Sequence, residues 1–150
     1  MKTTLQDWLN NGWLTEHKTS PQEILGLLAV ADRNIDDAEV AELSLDARLS
    51  IAYSSIIQCA KIALAACGYR VTRESAHYRS IESLNLTLYI SSATIRILDE
   101  FRKKRNILKY DRIGTTTTKE VNEILSIAKE IRAKVETWLK QKNPHLLNNP

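Results

Sequence analysis

The chemically most distinctive stretch of the sequence is a basic segment, residues 101–112, which reads FRKKRNILKYDR. From Arg96 to Arg112 the chain carries seven basic and three acidic side chains, an excess larger than the net charge of +3 of the whole protein. Such an excess is typical of a surface that binds phosphate groups or an acidic partner. A solvated helix face has the same composition, so charge alone does not decide between the two interpretations.

The helical phase of one arginine adds a second signal. Residues 90–112 are predicted to form one helix, and four of its residues fall on one side at about 100° per residue: Leu98, Phe101, Arg105 and Leu108. Arg105 therefore interrupts an apolar stripe. A guanidinium stays protonated, and burying it unpaired costs free energy, so Arg105 needs a carboxylate, a partner subunit or a cleft. The alternative is that its long side chain reaches out to water.

The remaining polar residues of this helix are candidate ligands for phosphate. Arg102, Asn106 and Tyr110 form a second stripe beside the apolar one, at positions i, i+4 and i+8. The further cations of this helix are Lys103, Lys104, Lys109 and Arg112.

Composition bounds the fold and excludes several classes of protein. The chain has 150 residues and 43% hydrophobic residues, enough for one domain, 1–150, with a real core. With 4 Gly and 3 Pro, it is unlike a strand-and-turn fold. No apolar run was expected to reach the ~20 residues that span a bilayer, and no signal-peptide layout is present. Cys59 and Cys67 are predicted to be small core residues of a reduced, cytoplasmic protein.

The sequence contains no familiar catalytic or cofactor motif. It lacks a Gly-rich phosphate loop, a His-Glu-x-x-His pair and a Ser or Cys nucleophile arrangement, and the three His are far apart. We therefore expect no cofactor and no metal site. His77 lies near the start of a predicted helix, where a lone His is more often structural than catalytic.

Periodicity and capping signals predict four long helices and several short pieces. The long helices are residues 24–43, capped by Ser20 and with an acidic outer face, 45–67, 90–112 and 121–142. Residues 45–67 are predicted to be the central helix, with Arg48 and Tyr53 as its polar exceptions. Shorter helices are predicted at 4–11 and 75–84, separated from their neighbours by a loop at 69–74 and a break at 85–88. The fold class is an all-α, up-and-down helical bundle.

The two ends of the chain lie outside the four predicted long helices. Residues 1–20 are predicted to be an N-terminal arm that acts as a lid or a dimer arm, with simple core packing as the preferred alternative. Residues 143–150 are predicted to be a frayed tail. The acidic face of the helix at 24–43 is either solvated or a counter-charge for the basic helix, within the chain or across a dimer.

Taken together, these segments resemble small prokaryotic HEPN-domain proteins. The resemblance covers the whole chain in layout, through LQDWLNNGWL, the Ser-Pro-capped helix, LSLDARLSIAYSSIIQCAKIALAACGYR, AHYRSIESL and, most specifically, FRKKRNILKYD. HEPN domains are helical bundles that often pair two-fold. Many are metal-independent ribonucleases of toxin–antitoxin or defence systems, with an Arg, a following polar residue and a His four to six residues beyond the Arg.

The resemblance implies site residues for this chain and also a departure. Arg105 matches the family Arg and Asn106 the polar residue, but Tyr110 stands where the nuclease has His. A phenol with a pKa of about 10 is a poor base at neutral pH, and His77 is the candidate to replace the missing imidazole in space. The resemblance therefore implies an RNA-binding or RNA-cleaving homodimer. The cations that it implies for binding RNA or a nucleotide are Arg102, Lys103, Lys104, Lys109 and Arg112. The alternative is an inactive HEPN interaction module that binds a nucleotide or a nucleotidyltransferase antitoxin.

Overall fold

The computed structural model describes residues 3–110 and 114–148, and for Lys109 and Tyr110 it describes the backbone only. Within these residues the chain forms six helices, two short strands and a final 3-10 turn. They are α1 (Leu5–Asn10), β1 (Leu14–Glu16), α2 (Pro21–Ala38), α3 (Leu45–Ala66), β2 (Tyr69–Val71), α4 (Ala76–Thr87), α5 (Ser92–Tyr110), α6 (Thr118–Lys142) and the turn Pro144–Leu147. The prediction of an all-α bundle with four long helices is confirmed.

Helix α3 is the centre of the bundle, as predicted. Ser44 caps it, since its hydroxyl accepts a hydrogen bond from Ala47 N at 3.1 Å. More than half of its residues are buried, and they point to several sides of the helix rather than to one stripe. Helices α2, α4, α5 and α6 all pack against it. A helix that is apolar nearly all round must be covered on all sides, which is why the bundle forms around α3.

Helix α3 also qualifies by length and composition as a membrane span, which the sequence reading had excluded for the whole chain. In the fold, however, 67% of its apolar window is buried against other parts of the protein. This is the pattern of a core helix in a soluble protein. Cytoplasmic localisation itself stays a prediction.

The N-terminal segment packs against the bundle. Trp8 and Leu14 are buried against Leu64 of α3 and form a second, smaller apolar cluster. The guanidinium of Arg79 in α4 lies 3.6 Å from the ring centre of Trp13 and holds the segment from the other side. These contacts agree with core packing. Nothing in them adds a role for residues 1–20 as a lid or a dimer arm.

A small antiparallel sheet was missed by the sequence reading, which placed residues 69–74 in a loop. Strands β1 and β2 pair Leu14 with Val71 and Glu16 with Tyr69. Each strand has three residues, too few for an alternating pattern to show. The pairing follows from the docking of the N-terminal segment, which brings it alongside the residues that leave α3 at Gly68.

The predicted helix break at 85–88 is wrong, because α4 continues to Thr87. Thr87 Oγ1 donates to Ser83 O at 3.1 Å, so this β-branched residue satisfies its hydroxyl inside the helix. The chain turns only afterwards, where Tyr89 adopts a left-handed φ of 57° and Asn85 Nδ2 donates to Ile90 O at 2.9 Å. Asn85, the first residue of the predicted break, instead lies inside α4 and bridges the turn that follows.

Three further predictions differ from the structure. Helix α2 ends at Ala38 rather than at 43, and Leu43 is exposed. Cys59 is buried as predicted, but Cys67 follows the end of α3 and is exposed. The tail is not frayed at 144–147, since the 3-10 turn there buries Leu146 against the core.

The acidic face of α2 pairs with α6 and not with the basic helix in the described residues. Arg132 donates from Nε to Asp32 Oδ1 at 2.7 Å, and Lys129 Nζ lies 3.0 Å from Glu39 Oε2. These pairs connect two helices that already pack together. The Lys129 pair is exposed on both sides and contributes little stability by itself, whereas the Arg132 side chain is mostly buried.

Asp46, in the first turn of α3, connects that helix to the segment that leads into α6. Its two carboxylate oxygens accept hydrogen bonds from Thr116 Oγ1 at 2.5 Å and from Gly114 N at 2.6 Å. These bonds, the one from Thr116 first, hold the pKa of Asp46 below its usual range. Asp46 therefore fixes where the chain re-enters the bundle after the basic helix.

We expect Asp46→Asn to lower the free energy of unfolding by about 1 kcal/mol at pH 7, because the charge that strengthens both bonds is lost. A carboxyl group with a lowered folded-state pKa stabilises the fold above its unfolded pKa of about 4, and this contribution disappears as the pH falls through the folded pKa. The difference between wild type and variant, measured by urea unfolding, should therefore shrink towards pH 3. Asp37→Asn is the control, since Asp37 is an exposed carboxylate of α2. An equal effect in both variants would contradict the role of Asp46.

Candidate functional site

Arg105 lies in the position that the helical phase predicts. Leu98, Phe101 and Leu108 are buried on the inner side of α5, and Arg105 is half-buried between them. The ion pairs of α5 in the described residues go to its other cations and not to Arg105. The carboxylate partner that the sequence reading allowed for is therefore not part of the described chain.

The guanidinium of Arg105 lies over an aromatic ring. Its Cζ is 5.2 Å from the ring centre of Tyr53, a residue of α3 that is fully buried. A cation at this distance from an aromatic face is attracted by the ring quadrupole. Arg105 Nε, in contrast, is buried and has no hydrogen-bond partner among the described residues. A buried N–H without an acceptor costs about 1–3 kcal/mol, so a movement of the Arg105 side chain that brings this N–H to an acceptor would be stabilising.

Tyr53 connects Arg105 to a histidine. The Tyr53 hydroxyl lies 3.2 Å from Nδ1 of His77, and the two ring centres are 5.6 Å apart. Burial raises the pKa of Tyr53 to about 12, an effect that outweighs the opposing influence of Arg105 and Arg102. The phenol is therefore protonated at neutral pH. In a neutral imidazole, Nδ1 either accepts a hydrogen bond from this hydroxyl or donates one to it, depending on the tautomer.

His77 is thus brought to the same ring as Arg105 by the packing of α3, α4 and α5. It lies in the first turn of α4, and its side chain is exposed. Its neighbour Tyr78 contributes a second ring to the cluster, with Arg102 Cζ 5.4 Å from the ring centre. We call this set, Tyr53, His77, Tyr78, Arg102 and Arg105, the α3–α5 cluster.

Several cations that were predicted to bind RNA are occupied by neighbours within the chain. Arg102 Nε donates to Asp99 Oδ1 at 2.7 Å, and Lys103 Nζ lies 3.5 Å from the same carboxylate. Lys104 Nζ donates to Glu120 Oε1 at 3.0 Å and to Thr115 O at 3.1 Å. Lys104 thus joins α5 to the start of α6 and has a structural role.

Of the remaining predicted site residues, one is exposed, and the side chains of the other three are not described by the structure. Asn106 is exposed on α5. The side chains of Lys109 and Tyr110, and the whole of Arg112, lie outside the described residues. The predicted approach of Tyr110 to Arg105 therefore stays a prediction.

Tyr53 is the site residue that sequence reasoning missed. It was noted only as a polar exception in the apolar α3, although a buried phenol needs a hydrogen-bond partner. Arg48, the other exception, donates from Nε to Ala38 O at 2.7 Å and fastens the end of α2. A signal was available in the sequence. Tyr53 and Arg105 each interrupt the apolar stripe of a different helix, and a phenol ring and a guanidinium can pack against each other.

The α3–α5 cluster combines an arginine with an unsatisfied N–H, a protonated phenol and an accessible imidazole. An arginine in this state is suited to a phosphate or carboxylate oxygen, and an imidazole can exchange a proton near neutral pH. Within residues 3–110 and 114–148, no three His, Cys, Asp or Glu side chains come together as a set of metal ligands. The arrangement can bind an oxyanion and move a proton beside it.

Comparison with protein families, with curated proteins and with solved structures finds no match to this chain.

Replacing Arg105 by Met tests whether its buried Nε, which lacks an acceptor, destabilises the fold of the free protein. We expect Arg105→Met to leave the free energy of unfolding unchanged or to raise it by up to about 1 kcal/mol, because the unsatisfied N–H disappears while a thioether keeps the contact with Tyr53. Arg132→Met is the matched comparison, since Arg132 donates to both Asp32 and Glu136. It should lose about 1–3 kcal/mol. Equal losses in chemical denaturation would show that Arg105 is a structural arginine.

The titration of Tyr53 gives a separate test of the cluster. We expect one of the five tyrosines to ionise at a pH near 12 in ultraviolet difference spectra of the folded protein, since burial keeps Tyr53 neutral. Because its folded-state pKa is raised above about 10, Tyr53 stabilises the fold below that pH, and this contribution is lost as the pH rises towards 12. Tyr53→Phe should remove the high transition, and Tyr89→Phe, at an exposed position, should keep it.

Proposed function

We propose that this chain is an RNA-binding module of the HEPN type, in which Arg105 binds a backbone phosphate and His77 lies beside the adjacent ribose. The observation that carries the proposal is the buried Arg105 Nε, which has no acceptor in the described chain. RNA is proposed as the ligand because the sequence resembles HEPN-domain proteins, and that family assignment is itself part of the proposal. A role in a toxin–antitoxin or defence system belongs to the same proposal.

A phosphate is the acceptor that best fits Arg105. The guanidinium is planar and offers parallel N–H donors that match two oxygens of one phosphate, whereas an ammonium offers a point charge. The guanidinium already lies against the ring of Tyr53, a fully buried residue, which restricts where the fork can move before the ligand arrives. Less side-chain entropy is then lost on binding.

Cleavage, if it accompanies binding, needs a base, and His77 is the described residue suited to that role. A transesterification would form a bond between the ribose 2′-oxygen and phosphorus and break the bond to the 5′-oxygen. Nε2 of the imidazole would accept the 2′-hydroxyl proton in the tautomer whose Nδ1–H donates to the Tyr53 hydroxyl oxygen, and a proton from water would reach the leaving 5′-oxygen. Tyr53 would act as a positioning residue, since its hydroxyl lies 3.2 Å from His77 Nδ1.

A second candidate function is an interaction module without catalysis, and specific contacts favour it. Arg102, Lys103 and Lys104 are engaged with acidic groups of the chain itself, which leaves fewer cations for RNA than the sequence suggested. Ile97 and Ile107 of α5 are 37% and 43% exposed. In this version α5 is the interface of a homodimer or binds a nucleotidyltransferase, and Arg105 finds its acceptor in the partner.

RNA binding gives the decisive measurement. We expect Arg105→Ala to weaken binding of labelled single-stranded RNA by at least about thirtyfold, since a charge-assisted contact contributes about 2 kcal/mol. Arg105→Lys should not restore it. Arg33→Ala, which removes an exposed arginine of α2, is the matched control and should change affinity little.

The same proteins, with EDTA present, also test cleavage. If His77 is the base, His77→Ala should remove cleavage and keep binding, whereas Tyr53→Phe should shift the pH dependence of the rate. Tyr110→Phe would remove cleavage instead if the motif tyrosine is the reactive group. Should wild type neither bind nor cut RNA while Arg105→Ala converts a dimer to a monomer in light scattering, the interaction module is the correct function.

A further inference from the structure

A groove separate from the α3–α5 cluster lies between β2, the start of α2 and the C-terminal half of α3. Its volume is about 750 Å³, and its lining includes Glu23, Lys61 and Arg70. Pockets for small molecules have volumes of about 300–1,000 Å³. Lys61 follows Tyr53 by eight residues of the same helix, which separates them by about 12 Å along the helix axis. The groove is therefore a second place on α3 where a ligand can bind.

The groove has a partly apolar surface. Five aliphatic side chains contribute to its lining: Leu27, Leu64, Ala65, Val71 and Ala76. Of these, Leu64 and Ala65 belong to the buried part of α3, so the surface behind them is rigid. Such a surface suits the ring or aliphatic part of a ligand, and Tyr69 adds an aromatic ring at the same site.

Three cations also line the groove. Lys61, Arg70 and Arg73 are exposed, and none of them forms an ion pair within the described part of the chain. The acid of the groove, Glu23, has its Oε1 2.6 Å from Thr19 Oγ1 and 2.8 Å from His17 Nε2, and its charge also interacts with Arg70. Three cations against one carboxylate leave the lining of the groove with an excess of positive charge.

We infer that this groove binds a phosphorylated small molecule that carries at least two negative charges and an apolar or planar body. Polyanionic charge complements Lys61, Arg70 and Arg73, and the body covers the aliphatic lining. A fatty acid would fill the apolar part but offers one charge to three cations. A bound peptide strand is disfavoured because β2, the strand at the groove, has three residues.

ADP and ATP are suitable probes, with pyrophosphate as the charge alone and dodecanoate as the apolar anion. We expect ADP to bind the full chain in isothermal titration calorimetry. Lys61→Ala and Arg70→Ala should each weaken that binding about tenfold, since each removes a charge-assisted contact. Pyrophosphate should bind more weakly than ADP, because it leaves the aliphatic surface in water.

Matched variants separate the groove from general surface charge. Lys134→Ala and Arg33→Ala remove exposed cations from α6 and α2 and should leave ADP binding unchanged. Competition separates the groove from the α3–α5 cluster: ADP bound in the groove should not displace labelled single-stranded RNA, so failure of RNA binding and failure of this site can be told apart. The inference is overturned if ADP and ATP give no heat, if the control variants lose as much affinity as Lys61→Ala, or if dodecanoate binds and displaces ADP.

Discussion

The structure depends on one constraint: α3 is apolar on most of its sides and has to be covered on all of them. Twelve of its residues are buried, including Leu49, Ile56 and Ile62. A helix of this composition is unstable alone in water, so α2, α4, α5 and α6 are held in place by the surface that they remove from solvent around it. The position of every polar group near the centre follows from how those helices meet α3. Tyr53 places an additional requirement on this packing. Burying its ring also buries its hydroxyl, which then needs a hydrogen-bond partner inside the protein.

The α3–α5 cluster follows from satisfying Tyr53. His77 of α4 supplies a partner for the hydroxyl, and Arg105 of α5 supplies a cation for the ring. Neither contact satisfies Arg105 Nε, so the cluster stabilises Tyr53 more completely than it stabilises Arg105. The charged side chains next to the cluster, in contrast, form ion pairs. Asp99 neutralises Arg102, and Glu120 neutralises Lys104, so the basic helix presents less positive charge than its sequence indicates.

The sequence was sufficient wherever the signal was local. The cap at Ser20, the central position of α3 and the inward phase of Arg105 were all predicted correctly, since a cap and a 3.6-residue period are properties of neighbouring residues. It failed where distant segments decide. The pairing of β1 with β2 joins residues more than fifty positions apart. Tyr53 was missed for the same reason, because its partners come from two other helices. Leu146 shows that even a terminal segment is ordered once an apolar surface is available to it.

The physical character of the α3–α5 cluster favours function over stability as its reason to exist. A core built only for stability would place an aliphatic residue at 105 and a Phe at 53, since apolar replacements of buried polar networks are often neutral or stabilising. The chain instead buries a phenol whose pKa is raised to about 12 and holds over it a guanidinium with an unsatisfied nitrogen. Arg132 shows that the same fold can satisfy an arginine fully, with two carboxylates, when the role is structural. The contrast between these two arginines argues that the acceptor of Arg105 is a group outside the described chain, which would explain why the residues around it leave that position unfilled.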